Sequence, residues 1–484
     1  MNGPIRRLAA VITLLFTSLF VSVTYIQVIN AQALNDNPRN SRTLIKERSR
    51  ERGEIKVGNK AVATSEPVDD EFKFLRKYSN GALYAPVTGF YSLVNGNPYG
   101  IESAESEYLS GTSDELFIRN LSSLLTGEQA QGATVETTIN AKAQKAAYDA
   151  LGDQDGAVIA LDPETGDILT MVSKPSYNPN KLASHDTTEA NQLYLKLAAD
   201  DLDPLINRTI GQLYAPGSTF KIVTSAAALT DGRYGADSES GLTGVARLDL
   251  PETTATLPND TGTVCADGTP TLREALEESC NTTYGQLGMD LGQEAMSEQA
   301  AKFGFGQSLT VPQNVVKSSF PTGLNQPQLA QSSIGQFDVR ATPLQVAMLS
   351  AGVENGGVVM RPNLVSKITS ADGKTISEPT PEKFSEAVTS DVADQLKSMM
   401  VSVVQNGTGK PAQISGVTVG GKTGTAQQQT GQNPDVWFTC FGEKDGKKIA
   451  VAVVVEDGGR AGSEAFGSTV AAPIAKAVME AVLT

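Results

Sequence analysis

Residues 156–172 read Gly-Ala-Val-Ile-Ala-Leu-Asp-Pro-Glu-Thr-Gly-Asp-Ile-Leu-Thr-Met-Val. Two apolar runs, Gly156–Asp162 and Asp167–Val172, flank Pro163-Glu164-Thr165-Gly166, so the stretch predicts a β-hairpin closed by a Pro/Gly turn. Upstream, Thr138–Leu151 spaces Ala143, Ala146, Ala147 and Ala150 along one side of a helix. Far downstream, Val417–Gly420, Trp437–Gly442 and Ile449–Val455 predict further strands, and Ala471–Leu483 a closing amphipathic helix. Strands at both ends with helices between them imply an α+β fold, an antiparallel sheet packed with helices. From about Arg52 to Gln131 the sequence has turns such as Asn95-Gly96-Asn97-Pro98 and no strong period; a smaller α+β domain is expected there.

Composition narrows the chemistry. The 484 residues hold 39 Lys plus Arg against 54 Asp plus Glu, a net charge of −15. Phosphate contacts need clustered Lys and Arg, so nucleic acid is not expected as a partner. One His argues against a His-built metal site, and only His185 is available to a Ser-His-Asp hydrolase. Three Cys without a CxxC pair exclude a zinc ribbon and a thioredoxin-like motif. No metal and no cofactor is expected, and catalysis falls to hydroxyls, amines, amides or carboxylates.

Leu8–Ile29 is uncharged and mostly apolar, with Arg6 and Arg7 before it. Its 22 residues suffice to cross a bilayer as a helix and exceed a signal-peptide core, although Ala31-Gln32-Ala33 resembles a cleavage site. An uncleaved single-pass anchor is the expectation. Arg39, Arg42, Lys46, Arg48 and Arg50 follow the span, so a naive positive-inside count favours the opposite orientation. Long domains translocate largely regardless of charge, so residues 1–7 are expected in the cytoplasm and the domains after the span outside. The expected organisation is 1–7 tail, 8–29 anchor, 30–134 stalk and pedestal, and 135–484 main domain.

Three motifs carry the chemistry. The first is Ser218-Thr219-Phe220-Lys221, after Pro216-Gly217 and before the apolar Ile222-Val223. The Pro-Gly pair marks a helix start, and residues i and i+3 share a helix face, which projects Ser218 and Lys221 together. The helix N-terminus favours negative charge developing at Ser218, and a desolvated Lys can serve as a base. Alone the motif is weak, since about one or two such matches arise by chance at this length. The second is Ser279-Cys280-Asn281 after a helical Leu272–Glu278, with a helix C-cap as the bland alternative. The third is Gly420-Gly421-Lys422-Thr423-Gly424-Thr425-Ala426, whose lysine and hydroxyls suit a carboxylate or an oxyanion. Here Gly416-Val-Thr-Val-Gly-Gly421-Lys422-Thr423 also matches a phosphate loop formally. Its apolar, β-branched interior argues against that, and the reading requires a strand-loop-helix context.

Ser279 follows Ser218 by 61 residues and Lys422 follows Ser279 by 143. In this order the set is the SxxK, SxN, KTG signature of penicillin-binding proteins and serine β-lactamases. The chain resembles a class B penicillin-binding protein, a monofunctional peptidoglycan D,D-transpeptidase, and is similar to the shorter actinobacterial members. Asn37-Pro38-Arg39-Asn40 with Arg42, Arg52-Gly53-Glu54-Ile55, Gly100-Ile101-Glu102, and Thr137-Thr138-Ile139 with Gln144 resemble further family segments. So do Ser333-Ile334-Gly335-Gln336 and Ala341-Thr342-Pro343-Leu344-Gln345.

The resemblance implies roles. Ser218 is the nucleophile toward the D-Ala–D-Ala bond of a stem peptide, Lys221 its base, and Ser279 the relay to the leaving group. Asn281 holds the substrate amide, and Lys422, Thr423, Gly424 and Thr425 the terminal carboxylate. The N–H groups of Ser218 and Thr425 form the oxyanion hole. Implied partners are peptidoglycan stem peptides on lipid-linked precursor strands, β-lactam antibiotics, and a membrane glycosyltransferase of the shape-and-division family. Cys265 and Cys280, 15 apart, either form a disulfide beside the second motif or stay free. In the chain-entropy model such a bond is worth about 3 kcal/mol. Cys440, Trp437 and Phe438 are expected in the core, and His185 at the surface without a function. The competing readings are a D,D-carboxypeptidase or β-lactamase of the same fold, and a non-catalytic β-lactam-binding scaffold.

Overall fold

The computed structural model describes residues 3–29, 48–119, 131–238, 241–427 and 431–484. The expectations for Ala31-Gln32-Ala33, for Asn37–Asn40 with Arg42, and for the basic residues Arg39 and Lys46 lie outside these. Helix α1 (Gly3–Thr24) runs on through one wider turn, Tyr25–Ile29, and encloses Arg6 and Arg7, which the sequence reading left outside. The hydroxyls of Thr13 and Thr17 bond to the carbonyls of Ala9 and Thr13 one turn earlier, leaving a surface compatible with lipid. Gly3–Ile29 is long and apolar enough to cross a membrane.

The chain then lays down β1 (Ile55–Val57), β2 (Lys60–Pro67), β3 (Phe74–Tyr78) and β4 (Thr134–Thr137). Helix α2 (Ala141–Leu151) leads into the hairpin β5 (Gly156–Leu161) and β6 (Ile168–Lys174). Asn140 caps α2 by accepting from the Lys142 and Ala143 amides, so the helix starts three residues later than the alanine spacing suggests. Next come α3 (Lys221–Asp231), α4 (Asn281–Lys302) and α5 (Pro343–Glu354), then short strands β7 (Val365–Thr369) and β8 (Thr375–Ser377). Helix α6 (Ser390–Gln405) precedes β9 (Thr418–Ala426), β10 (Asp435–Lys444) and β11 (Lys447–Val455), and α7 (Ala471–Leu483) closes the chain.

One antiparallel sheet has the order β9-β10-β11-β5-β6, which sets the carboxyl-terminal strands beside the hairpin. Its strands read as unbroken apolar runs because both faces are covered. Val158, Phe438, Cys440, Val451 and Val453 face one core with α2 and α7, whereas Ile159, Trp437, Phe441, Ala452 and Val454 face the other, with α3, α4 and α5. Cys440 is a buried free thiol on β10.

The second sheet has the order β8-β7-β4-β1-β2-β3. The boundary expected at 134/135 runs through β4, and β7 and β8 return from far along the chain to extend the amino-terminal sheet. Glu102 is fully buried there. It accepts from Arg52 Nε at 3.0 Å, Arg76 Nε at 2.6 Å and the Tyr78 hydroxyl at 3.0 Å. Burial alone would raise its carboxyl, but the two guanidiniums overrule it and hold it below the ordinary range. His185 is partly buried, with 17% of its side chain exposed. Its Nδ1 lies 2.5 Å from Asp70 and its ring meets Phe72 edge-on, joining the main domain to the pedestal.

Candidate active site

Pro216-Gly217 turns the chain into one tight 3-10 turn, Gly217–Phe220, and the α-helix begins only at Lys221. Thr219 closes that turn by bonding to the Pro216 carbonyl, and Trp437 Nε1 bonds to the Ala215 carbonyl just before it. Gly217 has φ +51°, and its amide donates to the Gly335 carbonyl at 3.0 Å. A Cβ at position 217 would stand 2.6 Å from the Thr425 carbonyl oxygen. Only glycine lets this turn press against β9. Ser218 follows, 7% exposed, with its hydroxyl at the wall of a cleft.

Lys221 is fully buried, and its Nζ does not point where helix geometry alone suggests. It bonds to the Ser279 carbonyl at 2.7 Å, Asn281 Oδ1 at 2.7 Å and Ser279 Oγ at 3.2 Å. Among the described residues Ser218 Oγ has no hydrogen bond, so Lys221 is tied to the second motif rather than to the first. Burial pushes the Lys221 ammonium down to about 7, although the Asp260 charge works the other way.

Ser279 owes its place to a helix end. The short helix Leu272–Glu277 stops, Ser279 takes φ +62°, and the Cys280 amide bonds back to the Ala275 carbonyl at 2.9 Å. The C-cap reading and the functional one therefore describe the same residue. A non-glycine residue in this conformation costs of order 1–3 kcal/mol. The disulfide Cys265–Cys280 adjoins it, with Cα atoms 6.2 Å apart. Ser279 Oγ also meets Lys422 Nζ at 2.8 Å, so one hydroxyl lies between two buried lysines. Burial first, and then the Lys221 charge, pull Lys422 well below its ordinary value.

Asn281 opens α4. Its Oδ1 faces Lys221, while its Nδ2 donates to the Pro258 carbonyl at 3.1 Å and to Asp260 Oδ1 at 2.8 Å. Both amide hydrogens are thus engaged within the protein.

Lys422, Thr423 and Gly424 lie in the middle of β9, paired with Thr439, Phe438 and Trp437 of β10. A continuous strand through 418–426 removes the phosphate-loop alternative, which required a loop entering a helix. Thr423 Oγ1 meets Thr408 Oγ1 at 2.9 Å, and the Thr425 carbonyl accepts from Gln336 Nε2 at 3.3 Å. A Cβ at Gly424 would stand 3.0 Å from both Thr219 and Trp437 side chains, so the strand also needs glycine there to approach the Ser218 turn.

Ser218, Asn281 and Thr425 line one cleft of about 580 Å³, with Asp260, Gln336 and the exposed ring of Phe466 at its walls. A second cavity of about 410 Å³ adjoins it through Gln336, Phe337 and Gln427. Sequence reasoning missed Asp260, Thr408 and the Gln336 contact. Asp260 sits in Pro258-Asn259-Asp260-Thr261-Gly262, which reads only as a turn; its one pointer was Cys265, shortly after it.

The transpeptidase domain of penicillin-binding proteins matches residues 156–480, and the dimerisation domain of penicillin binding protein A matches residues 52–135. The peptidoglycan D,D-transpeptidase PbpA of Mycolicibacterium smegmatis is 42% identical over 100% of this chain and 99% of its own. The protein of the same description from Mycobacterium tuberculosis is 41% identical over the same shares. The solved structure of penicillin-binding protein A from M. tuberculosis, as an acyl-enzyme complex, superposes with a TM-score of 0.86 at 40% identity. That superposition covers 91% of this chain and 100% of the other.

Proposed function

The chain belongs to the penicillin-binding proteins that carry a transpeptidase domain, and from that membership we propose that it is a class B peptidoglycan D,D-transpeptidase. It cross-links stem peptides through an acyl-enzyme on Ser218, releases D-alanine, and is acylated by β-lactams. The observation that carries the residue roles is the shared Ser279 hydroxyl, 3.2 Å from Lys221 and 2.8 Å from Lys422, beside a cleft lined by Ser218 and Thr425.

Lys221, neutral in a sizeable fraction near pH 7, takes the Ser218 proton as Oγ attacks the penultimate D-alanine carbonyl. The N–H groups of Ser218 and Thr425 hold the resulting oxyanion, an effect worth about 3 kcal/mol per donor. Contact between the two backbones at Gly217 supports that pairing. The C–N bond then breaks, and Ser279 hands its proton to the departing D-alanine amine while taking the one held by Lys221. Burial and the Lys221 charge hold Lys422 well below its ordinary value, and the arriving terminal carboxylate of the donor peptide favours its charged form. Thr423 and Thr425 complete that carboxylate site, and Gly424 lets their strand approach. Asn281 orients the peptide amide once a substrate carbonyl displaces the Pro258 carbonyl as the acceptor of one of its N–H bonds. The amine of a second stem peptide, entering through the adjoining cavity, attacks the ester and gives a proton to Lys221, which returns it to Ser218 Oγ as the C–O bond breaks and the cross-link forms.

Residues 8–29 anchor the enzyme, with 1–7 in the cytoplasm and the catalytic region outside; residues 30–134 form the stalk and pedestal, and 135–484 the transpeptidase region. The polymerised strands come from a membrane glycosyltransferase of the shape-and-division family. The apolar helix Gly3–Ile29 is long enough to serve as that anchor.

The test is fluorescent penicillin labelling of the full-length protein in detergent, beside Ser218→Ala and Lys221→Ala. Covalent labelling of the wild type that both variants lose is expected. A cross-linked product from a stem-peptide donor and an amine acceptor then separates this enzyme from a carboxypeptidase. Unlabelled wild type, or a labelled Ser218→Ala variant, overturns the assignment and favours the scaffold.

A further inference from the structure

Asn281 is a group whose two ends are not equivalent. Its oxygen only accepts and its nitrogen only donates. Lys221 Nζ meets the oxygen at 2.7 Å, and the Pro258 carbonyl and Asp260 Oδ1 take the two N–H bonds at 3.1 and 2.8 Å. Turned over, the amide would set its oxygen against two acceptors and its NH2 against the lysine. Pro258 contributes backbone, so the orientation is decided by two side chains, Lys221 on the oxygen and Asp260 on the nitrogen.

The loop bearing Asp260 is fixed to the same turn from both sides. Asn259, 4% exposed, accepts from the Thr282 amide at 3.0 Å and donates to the Val245 and Thr263 carbonyls. Cys265, five residues past Asp260, is bonded to Cys280. Asp260 itself lies at the cleft wall.

Three charged or titratable side chains face Lys221: Lys422 from β9 through the shared Ser279 hydroxyl, Tyr284 from α4 with its ring 5.4 Å away, and Asp260. Tyr284 is fully buried and its phenol is pushed up by that burial, so it stays neutral. Among the described residues Asp260 is the carboxylate whose charge acts on both lysines.

We infer that Asp260 is a positioning residue for the reaction: its carboxylate fixes the Asn281 amide with Oδ1 toward Lys221 and holds a negative charge beside the lysine pair. The inference rests on Lys221 acting as the base. Only the Asn281 amide separates the carboxylate from Nζ, and because Asp260 is exposed to solvent its charge is worth about half to one pH unit there.

The experiment measures the second-order rate of acylation by a fluorescent penicillin against pH, using full-length protein in detergent. Wild type is compared with Asp260→Asn and Asp260→Glu. The Asn variant should move the acid limb down by about half to one unit, labelling about three- to tenfold faster at the foot of the limb relative to its own plateau. The Glu variant should return the limb to the wild-type position even if its plateau falls. Superposable limbs, or equal shifts for Asn and Glu, overturn the proposal. Asp260→Ser removes the same charge and serves if the Asn variant does not fold. Loss of the acid limb in the wild type, or labelling of Ser218→Ala, places the failure in the underlying reading. An intact wild-type limb with an unmoved Asn variant places it in Asp260.

Discussion

Lowering the pH from about 8 to about 5.5 should slow acylation of Ser218 about thirtyfold. The figure follows from one group. Lys221 is fully buried and carries a value of about 7 against an ordinary 10.5. Its neutral form is then about nine-tenths populated at the higher pH and about 3% at the lower. An ordinary lysine would instead give a rate climbing tenfold per unit, with no plateau before about pH 10. The assay is the second-order rate of fluorescent penicillin labelling across that range, with the antibiotic's own hydrolysis subtracted. A rate flat down to pH 5.5, or one still rising tenfold per unit above about pH 8.5, would refute the argument. Stability gives an independent reading of the same group. A lysine depressed by burial burdens the fold fully below its folded value of about 7, and the burden fades as pH rises toward 10.5. Replacing it by Met removes a term that changes by about 3 kcal/mol between pH 9.5 and pH 7. The urea midpoint of Lys221→Met should therefore gain on wild type by that amount over the interval, while labelling is lost. An unchanged gap would mean that Lys221 is charged in the folded protein.

Gly217→Ala should slow labelling about a hundredfold, because a Cβ 2.6 Å from the Thr425 carbonyl, in a left-handed backbone, drives the Ser218 turn off β9 at a cost of about 3 kcal/mol; an acylation time course reads it directly. Glu102→Gln should destabilise the pedestal by about 3–5 kcal/mol, since it leaves two buried guanidiniums without a counter-charge. Urea unfolding measures that loss, and the folded fraction should still label at Ser218. Glu354 has a buried side chain, and burial, only partly offset by Lys397, raises its carboxyl to about 7. A raised carboxyl favours the fold below its unfolded value of 4.5, and that contribution is lost as pH rises through 7. Wild type should therefore lose about 3 kcal/mol relative to Glu354→Gln between pH 4.5 and pH 8, read from melting temperatures at the two limits.

Local pattern made the sheet legible. Gly156–Val172, the strands near the carboxyl end and the Ala471–Leu483 helix all stand as the apolar runs suggest, because each run is set by burial of its own residues. The Ser218, Ser279 and Lys422 segments were visible as motifs, and they meet because a helix start, a helix end and a mid-strand position face one another. What the pattern could not carry was direction across the chain. Lys221 reaches Ser279 and Asn281 rather than Ser218 because its amine is drawn to acceptors 58 and 60 residues away. Asp260 gave no signal because its partner is an amide 21 residues on. The pairing of His185 with Asp70 spans 115 residues. The resemblance pointed to Arg52 and Glu102 without a reason, and their buried ion pair supplies one.

The amino-terminal sheet has an implication for how the protein is made. Ser366 of β7 bonds to Glu136 of β4 across 230 residues. During synthesis β1 to β4 emerge first and must wait, with β4 an open edge, until most of the catalytic region has been produced. Such an edge is a template for pairing with another chain. A truncated chain ending before β7 would keep that edge permanently. The last strands to dock on the pedestal come after α2 to α5, so this sheet is completed only once the chain has been made as far as Ser377.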